Sequence, residues 1–373
     1  MTREELHNFI ATYNGNKLLL EVATGYGKTL AAILLDEKLG GSWNIVVAET
    51  AHINTWKAEF TKHGKEHLLK SVNIFCYQSL HKHKDGGNYV FDEVHHLLSI
   101  KRLAIARSIK YLNVIMLSAT VTNYQKTQSK YSIGKFDIVK ITLSEAIEAK
   151  VLPEPMVYFI GFNLDDNVRI HKYSFTKDKS ITVTEQEWYN RQSAYIDTLK
   201  ERFTTSYSNS DKLKWLTAAN KRKKFLADVK TKYARIILRE LQNRRLLCFA
   251  SSIPQSELLG AGFTIHSHNS SKLNDKRFED FNNLVTNKLF AVGKLKEGVN
   301  LTQLDCAVVI QLDNSVRYYT QILGRSMRSD SPILYVLYIK NSRDEEYTKT
   351  VLEDFNMDYV KFINLKEFYE KLT

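Results

Sequence analysis

Short apolar runs punctuate this chain at intervals that suit a parallel sheet. Leu18–Val22, Ile45–Ala48, Val72–Tyr77, Tyr89–Phe91, Val114–Leu117 and Ile138–Leu143 are compact, often β-branched or aromatic, and each reads as a strand. Between them, Thr29–Leu39, Ile53–His63 and Leu103–Leu112 carry apolar residues at helical spacing. Strand and helix in alternation predict an α/β unit with a mostly parallel sheet. Met156–Phe162 reads as a strand at the head of a second such unit. That unit continues with strands at Leu246–Ala250, Phe263–His266, Leu289–Val292, Ala307–Gln311 and Ile333–Tyr338, and with helices near Asp275–Val285 and Val316–Leu323. The stretch from about 165 to 243 breaks the alternation, because Glu185–Phe203 and Asp211–Asn243 read as long, strongly charged helices. The predicted organisation is one α/β lobe over 1–150 and a second over 151–373. The second lobe carries the helical insertion in or before it and a short C-terminal extension. Pro153 and Pro155, two of only four prolines, mark the boundary.

Composition adds little to this until charge is considered. A length of 373 residues suits two domains, each able to bury a core. No apolar run approaches the roughly 18 residues of a membrane span, and MTREELHNF lacks a signal-peptide core, so a cytoplasmic, non-secreted protein is expected. Cys76, Cys248 and Cys306 form neither a disulfide framework nor a metal-ligand pattern, which points to a reducing compartment. The net charge of +12 divides as +5 over 1–150, +6 over 151–240 and +1 over 241–373. A basic middle segment fits a polyanionic partner and equally a solvated basic face. Within it Lys212, Lys214, Lys221, Arg222, Lys223 and Lys224 interleave with Trp215 and Phe225. That mixture suits a nucleic-acid track with a stacking or wedge residue, or an amphipathic helix whose aromatics pack inward.

The chemistry is concentrated at the ends of two strands. In LLLEVATGYGKTLAAILL an apolar strand breaks into a glycine loop that opens a helix on Lys28 and Thr29. Such a loop can wrap a polyphosphate with the N–H groups of Thr24, Gly25, Tyr26 and Gly27, aided by the helix N-terminus. Lys28 would reach the β- and γ-phosphates and the Thr29 hydroxyl would bind Mg²⁺. Val22 stands where the full G-x-x-x-x-G-K-[ST] pattern has glycine, and a glycine turn capping an ordinary helix is the bland alternative. Tyr89–Phe91 delivers Asp92 and Glu93 to the carboxyl end of the sheet, where ligands bind in open α/β folds. Asp92 can hold Mg²⁺ opposite Thr29, and Glu93 can orient or deprotonate the water that attacks the γ-phosphate.

DEVH at Asp92–His95, SAT at Ser118–Thr120 and QILGRSMR at Gln321–Arg328 follow the loop in an order that resembles the superfamily 2, DExH-type helicases and translocases. ETAHINTWKAEF, FCYQSL, LCFASS and GKLKEGVNL resemble further motifs of that family, and the set spans most of 18–330. The nearest flavour is that of phage and bacterial UvsW-like DNA helicases and restriction-enzyme motor subunits. The resemblance implies two RecA-like lobes, ATP and Mg²⁺ as cofactors, and a nucleic-acid partner with DNA favoured over RNA. It implies that Arg325 and Arg328 act as arginine fingers and that Gln321 contacts the γ-phosphate or the attacking water. On a helix Gln321, Gly324, Arg325 and Arg328 share one face.

By the same resemblance Glu297, Gly298 and Asn300 lie at the nucleotide, with Asn300 where relatives often place an acidic ribose contact. His95, Ser118 and Thr120 are implied to couple hydrolysis to the nucleic-acid groove. The groove itself is implied to use Thr50, His52, Tyr77, Gln78 and Ser79, then Ser251, Ser252, His266, Ser267, Lys294 and Lys296. No glutamine precedes Gln78, so the adenine-reading glutamine of many relatives is missing upstream of the loop and relaxed base selectivity is expected. The predicted activity is ATP-driven translocation and duplex unwinding. The alternatives are translocation or annealing without unwinding, and an ATP-controlled subunit of a restriction or defence complex with a protein partner.

Overall fold

The computed structural model describes residues 1–174, 179–292, 301, 303–312, 332–353 and 355–372. Its contacts divide it into two units, one built on Met1–Pro155 and one starting at Met156.

The first unit is organised by six parallel strands: β1 (Lys17–Val22), β2 (Trp43–Val47), β3 (Val72–Cys76), β4 (Gly87–Phe91), β5 (Tyr111–Ser118) and β6 (Asp137–Ile141). Their order across the sheet is β3-β2-β4-β5-β1-β6. Leu18 through Val22 are buried without interruption, the signature of a strand covered on both faces. Register pairs Glu21 with Ser118 and Val46 with Phe91, so the ends of β1, β2, β4 and β5 emerge along one edge.

Around this sheet lie α1 (Arg3–Thr12), α2 (Lys28–Leu39), α3 (Thr50–Lys62), α4 (Ile100–Ser108), α5 (Asn123–Ile133) and α6 (Leu143–Glu148). Two of these departed from the sequence pattern. α5, NYQKTQSKYSI, has almost no apolar stripe, and a capping box between Thr122 and Gln125 starts it instead. The helix expected over Leu103–Leu112 ends at Ser108, because Tyr111 and Leu112 already belong to β5.

Among the described residues the second unit holds seven parallel strands: β7 (Met156–Phe162), β10 (Leu246–Ala250), β11 (Thr264–Ile265), β12 (Lys288–Val292), β13 (Cys306–Val309), β14 (Ile333–Ile339) and β15 (Val360–Ile363). Their order is β11-β12-β10-β13-β14-β7-β15. The last of these comes from the C-terminal segment, which adds an edge strand beside β7. A separate antiparallel hairpin, β8 (Ile170–Ser174) with β9 (Lys179–Val183), precedes the helical insertion.

The insertion is a pair of long helices, α7 (Glu185–Ser206) and α8 (Asn209–Glu240). Tyr189 and the α8 residues Phe225, Leu226, Val229, Ala234, Ile237 and Leu238 join the core of this unit. Farther out, Phe203 stacks on Trp215 with ring centroids 5.8 Å apart. Arg222 donates to Ser193 Oγ at 2.9 Å and lies over the Tyr189 ring, while Lys212, Lys214, Lys221 and Lys224 face solvent. Of the aromatics in the basic cluster, Phe225 is a buried packing residue and Trp215 is half-buried against Phe203. Lys230 is wholly buried and its ammonium pairs with Asp344 Oδ2 at 2.6 Å. Desolvation lowers the Lys230 pKa, and the Asp344 carboxylate opposes that shift. Asp344 also accepts from Gln311 Nε2 at 2.9 Å and the Ile339 N–H at 3.3 Å.

Candidate nucleotide-binding site

The loop between β1 and α2 takes the shape its glycines allow. Gly25 and Gly27 have φ of 87° and 109°, a region that side chains with a Cβ disfavour, and Gly27 serves as the N-cap of α2. A Cβ at Gly27 would meet nothing within 4 Å, so the space over the loop is open. The chain start pins the loop from outside: Arg3 donates to the Gly25 carbonyl at 3.0 Å and the buried Tyr26 hydroxyl donates to the Met1 carbonyl. Val22, at the position where the full pattern has glycine, is the buried last residue of β1.

A cavity of about 600 Å³ lies against this loop. Thr24, Gly25, Tyr26, Gly27, Lys28 and Thr29 form one wall, and Asp92 and Glu93 another. Lys28 Nζ is buried, has no hydrogen-bond partner among the described residues, and lies 3.8 Å from Glu93 Oε1. A buried ammonium left in that state is suited to an anion entering the cavity. Asp92 follows β4 directly, its N–H bonded to the Val46 carbonyl at 2.9 Å. Its carboxylate accepts Trp56 Nε1–H at 2.9 Å and its carbonyl accepts the Tyr77 hydroxyl at 2.9 Å. Burial raises the Asp92 pKa, the neighbouring Glu93 adds to the rise, and the Trp56 hydrogen bond, Lys28 and His52 oppose it.

Glu93 sits in the left-handed region at φ 47°, an uncommon conformation for a side-chain-bearing residue and one that clusters at functional sites. Its Oε2 accepts the Ser118 hydroxyl at 3.4 Å and lies 3.4 Å from His95 Nδ1. The Thr120 carbonyl, 3.2 Å from the Ser118 hydroxyl, is the alternative acceptor for its one proton, so SAT, DEVH and Lys28 form one connected set. Among the described residues no cluster of three or more His, Cys, Asp or Glu could hold a metal unaided. Thr29 and Asp92 fit an Mg²⁺ ion that brings phosphate and water oxygens with it, which is how this hard cation is usually held at nucleotide sites.

Residues 228–330 match the family described as the helicase conserved C-terminal domain. No curated protein matches the sequence. Among solved structures, the chain is similar to S. cerevisiae Dbp5 bound to RNA and ADP BeF3. Identity there is 11% and the TM-score 0.65, over 99% of this chain and 91% of that one. It is also similar to the Pyrococcus furiosus Hef helicase domain, with 14% identity and a TM-score of 0.51 over 93% and 96% of the two chains. The fold is that of two RecA-like lobes, like those of these structures.

Within the RecA-like lobes the residues expected to touch nucleic acid divide into two groups. Thr50 and Gln78 are exposed and Ser79 is half-buried, just past the ends of the paired strands β2 and β3. In the second lobe Ser267 is exposed and Ser251 and Ser252 are half-buried, with Ser252 capping helix α9 (Ile253–Gly260). The other three are buried. Tyr77 is 2% exposed and donates to the Asp92 carbonyl. His52 is 3% exposed and lines the cavity beside the glycine loop. His266 is buried, with Nε2 2.7 Å from Glu257 Oε1. Lys294, Lys296, Glu297, Gly298, Asn300, Gln321, Arg325 and Arg328 lie outside the described residues.

Sequence reasoning passed over Trp56, Glu21, Arg3 and His7. Glu21 carried a usable signal, a lone charge inside the apolar run LLLEV. Trp56 carried a weaker one, lying one turn beyond His52 on α3. Arg3 and His7 line the cavity from α1, together with Val151, Leu152 and Pro153. Among the described residues no helix is long and apolar enough to cross a membrane.

Proposed function

We propose that this protein is a nucleic-acid-dependent ATPase of the superfamily 2 DExH type, in which Mg-ATP hydrolysis drives translocation along nucleic acid and separation of its strands. The observation that carries this reading is the buried Lys28 ammonium, without a hydrogen-bond partner among the described residues and 3.8 Å from Glu93, with Thr29 and Asp92 lining the same cavity. Lys28 and the loop N–H groups bind and neutralise the phosphates. Glu93, in contact with Ser118 and close to His95, orients the attacking water and takes its proton. Bound Mg²⁺ would be held by Thr29 and Asp92 and would offset charge on the β- and γ-phosphates. Arg325, Arg328 and Gln321 are assigned to the γ-phosphate on their motif, and Glu297, Gly298 and Asn300 to the nucleoside.

The motif resemblance points to DNA and to a phage or bacterial source. A fold shared with an RNA-bound protein makes RNA the natural control. The test is ATP hydrolysis by the purified full chain, alone and with single-stranded, duplex and forked DNA and with RNA, at low salt. Stimulation by DNA is expected, and a tailed-duplex assay then separates unwinding from translocation alone. Hydrolysis that no polymer alters would replace the motor with a partner-dependent switch, and absence of hydrolysis would overturn the reading.

A further inference from the structure

Helix α3 carries a motif whose family role is to face nucleic acid, yet it turns a polar face into the nucleotide cavity. His52, Thr55, Trp56, Glu59 and Lys62, recurring at three- and four-residue spacing, all line that cavity. Two of them stand at its carboxylate end. Trp56 is 2% exposed and commits its indole N–H to Asp92 Oδ2 at 2.9 Å. That bond engages Oδ2 and orients the carboxylate. His52, one turn earlier, has a buried Nε2 with no hydrogen-bond partner among the described residues. An unsatisfied buried polar atom is costly, and a group bound in the cavity would remove that cost.

We propose that α3 forms part of the nucleotide site. Trp56 is a positioning residue that fixes the Asp92 carboxylate for the divalent cation, and His52 Nε2 contacts the terminal phosphate of the nucleotide. The assignment rests on the nucleotide reading above and adds two residues that reading does not use. It gives α3 a part in telling a triphosphate from a diphosphate. Indole is suited to the first task because it donates one hydrogen bond and accepts none, so it cannot compete with the carboxylate for the cation.

Binding of fluorescent ATP and ADP analogues to the full chain, titrated with Mg²⁺ and repeated in EDTA, tests both parts. Trp56→Phe is expected to leave affinity in EDTA unchanged while raising the Mg²⁺ concentration for half-maximal tightening about tenfold, the usual scale for a residue that orients a metal ligand. His52→Ala is expected to cut the preference for the ATP analogue over the ADP analogue about fivefold to tenfold, with ADP affinity unchanged. Unaltered Mg²⁺ dependence in the first variant and an unaltered ATP preference in the second would overturn the proposal. His52→Ala keeps it testable if Trp56→Phe fails to fold. Failure of the unsubstituted protein to bind either analogue would instead overturn the nucleotide reading, and this proposal with it.

Discussion

Glu21 and Val121 are joined across 100 residues of sequence: Glu21 Oε1 accepts the Val121 backbone N–H at 3.1 Å. The other carboxylate oxygen pairs with Lys126 Nζ at 2.6 Å. The strand that enters the phosphate loop is thereby clamped to the segment leaving Ser118–Thr120, and Ser118 in turn reaches Glu93. Glu21→Ala leaves a buried N–H without an acceptor, and a loss of about 1–3 kcal/mol is expected in urea unfolding. Glu21→Gln, which keeps an acceptor oxygen, should lose less. In both variants kcat for ATP should fall while nucleotide affinity holds, because the clamp acts on Glu93 rather than on the phosphates.

Lys28→Ala and Glu93→Gln separate binding from chemistry. The first removes the cavity's buried ammonium, so both nucleotide affinity and turnover should collapse. The second keeps the shape of the side chain and removes its basicity, so binding should persist while turnover falls about 10²–10⁴-fold. Analogue binding measured beside single-turnover hydrolysis distinguishes these outcomes. Normal turnover in Glu93→Gln would remove Glu93 from its role.

The Lys230–Asp344 pair should be worth more broken than replaced. Lys230→Met strands a buried carboxylate, and breaking such pairs costs about 3–5 kcal/mol. The donors Gln311 and Ile339 remain on Asp344, which places the expected loss near the lower end of that range. A second substitution, Asp344→Leu, should recover much of it, and chemical denaturation of the single and double variants reads the difference.

Asp36, on α2, predicts a pH dependence of known sign. Burial pushes its carboxyl up to about 7, with Glu37 beside it a lesser contribution. Oδ2 is buried without a partner among the described residues. The folded chain therefore holds this proton over a range where the unfolded chain, at the ordinary value of 3.8, has released it. Stability from this group is greatest below about pH 4 and declines as pH rises to about 7. Asp36→Asn should match the parent at pH 4 and exceed it by about 1–2 kcal/mol at pH 8, after allowance for solvent screening. Thermal unfolding of the two proteins across that range supplies the comparison.

What the sequence made legible follows from how strongly each element is written in it. A strand buried on both faces leaves a continuous apolar run, so β1, β4, β7, β10 and β14 could be read with little ambiguity. The glycine loop and the acidic pair were legible because strand context confines where their side chains emerge. Helix α5 and the β8–β9 hairpin were not, since capping and local pairing hold polar segments that show no periodicity. The burial of Tyr77, His52 and His266 was not legible either. A motif places a residue at a strand end, but the direction of its side chain is decided by packing. Tyr77 turns beneath Asp92, and His266 turns onto Glu257.

The place of β7 has a consequence for how the protein is made. Met156–Phe162 pairs with Ile333–Ile339 on one side and Val360–Ile363 on the other. During synthesis both neighbours arrive long after it. At roughly 5–20 residues per second, MVYFIGF waits about 10–35 s for its first partner, with two open edges and no charge to guard them. The second lobe thus closes its sheet only near the end of synthesis, and until then these seven residues stand with open edges.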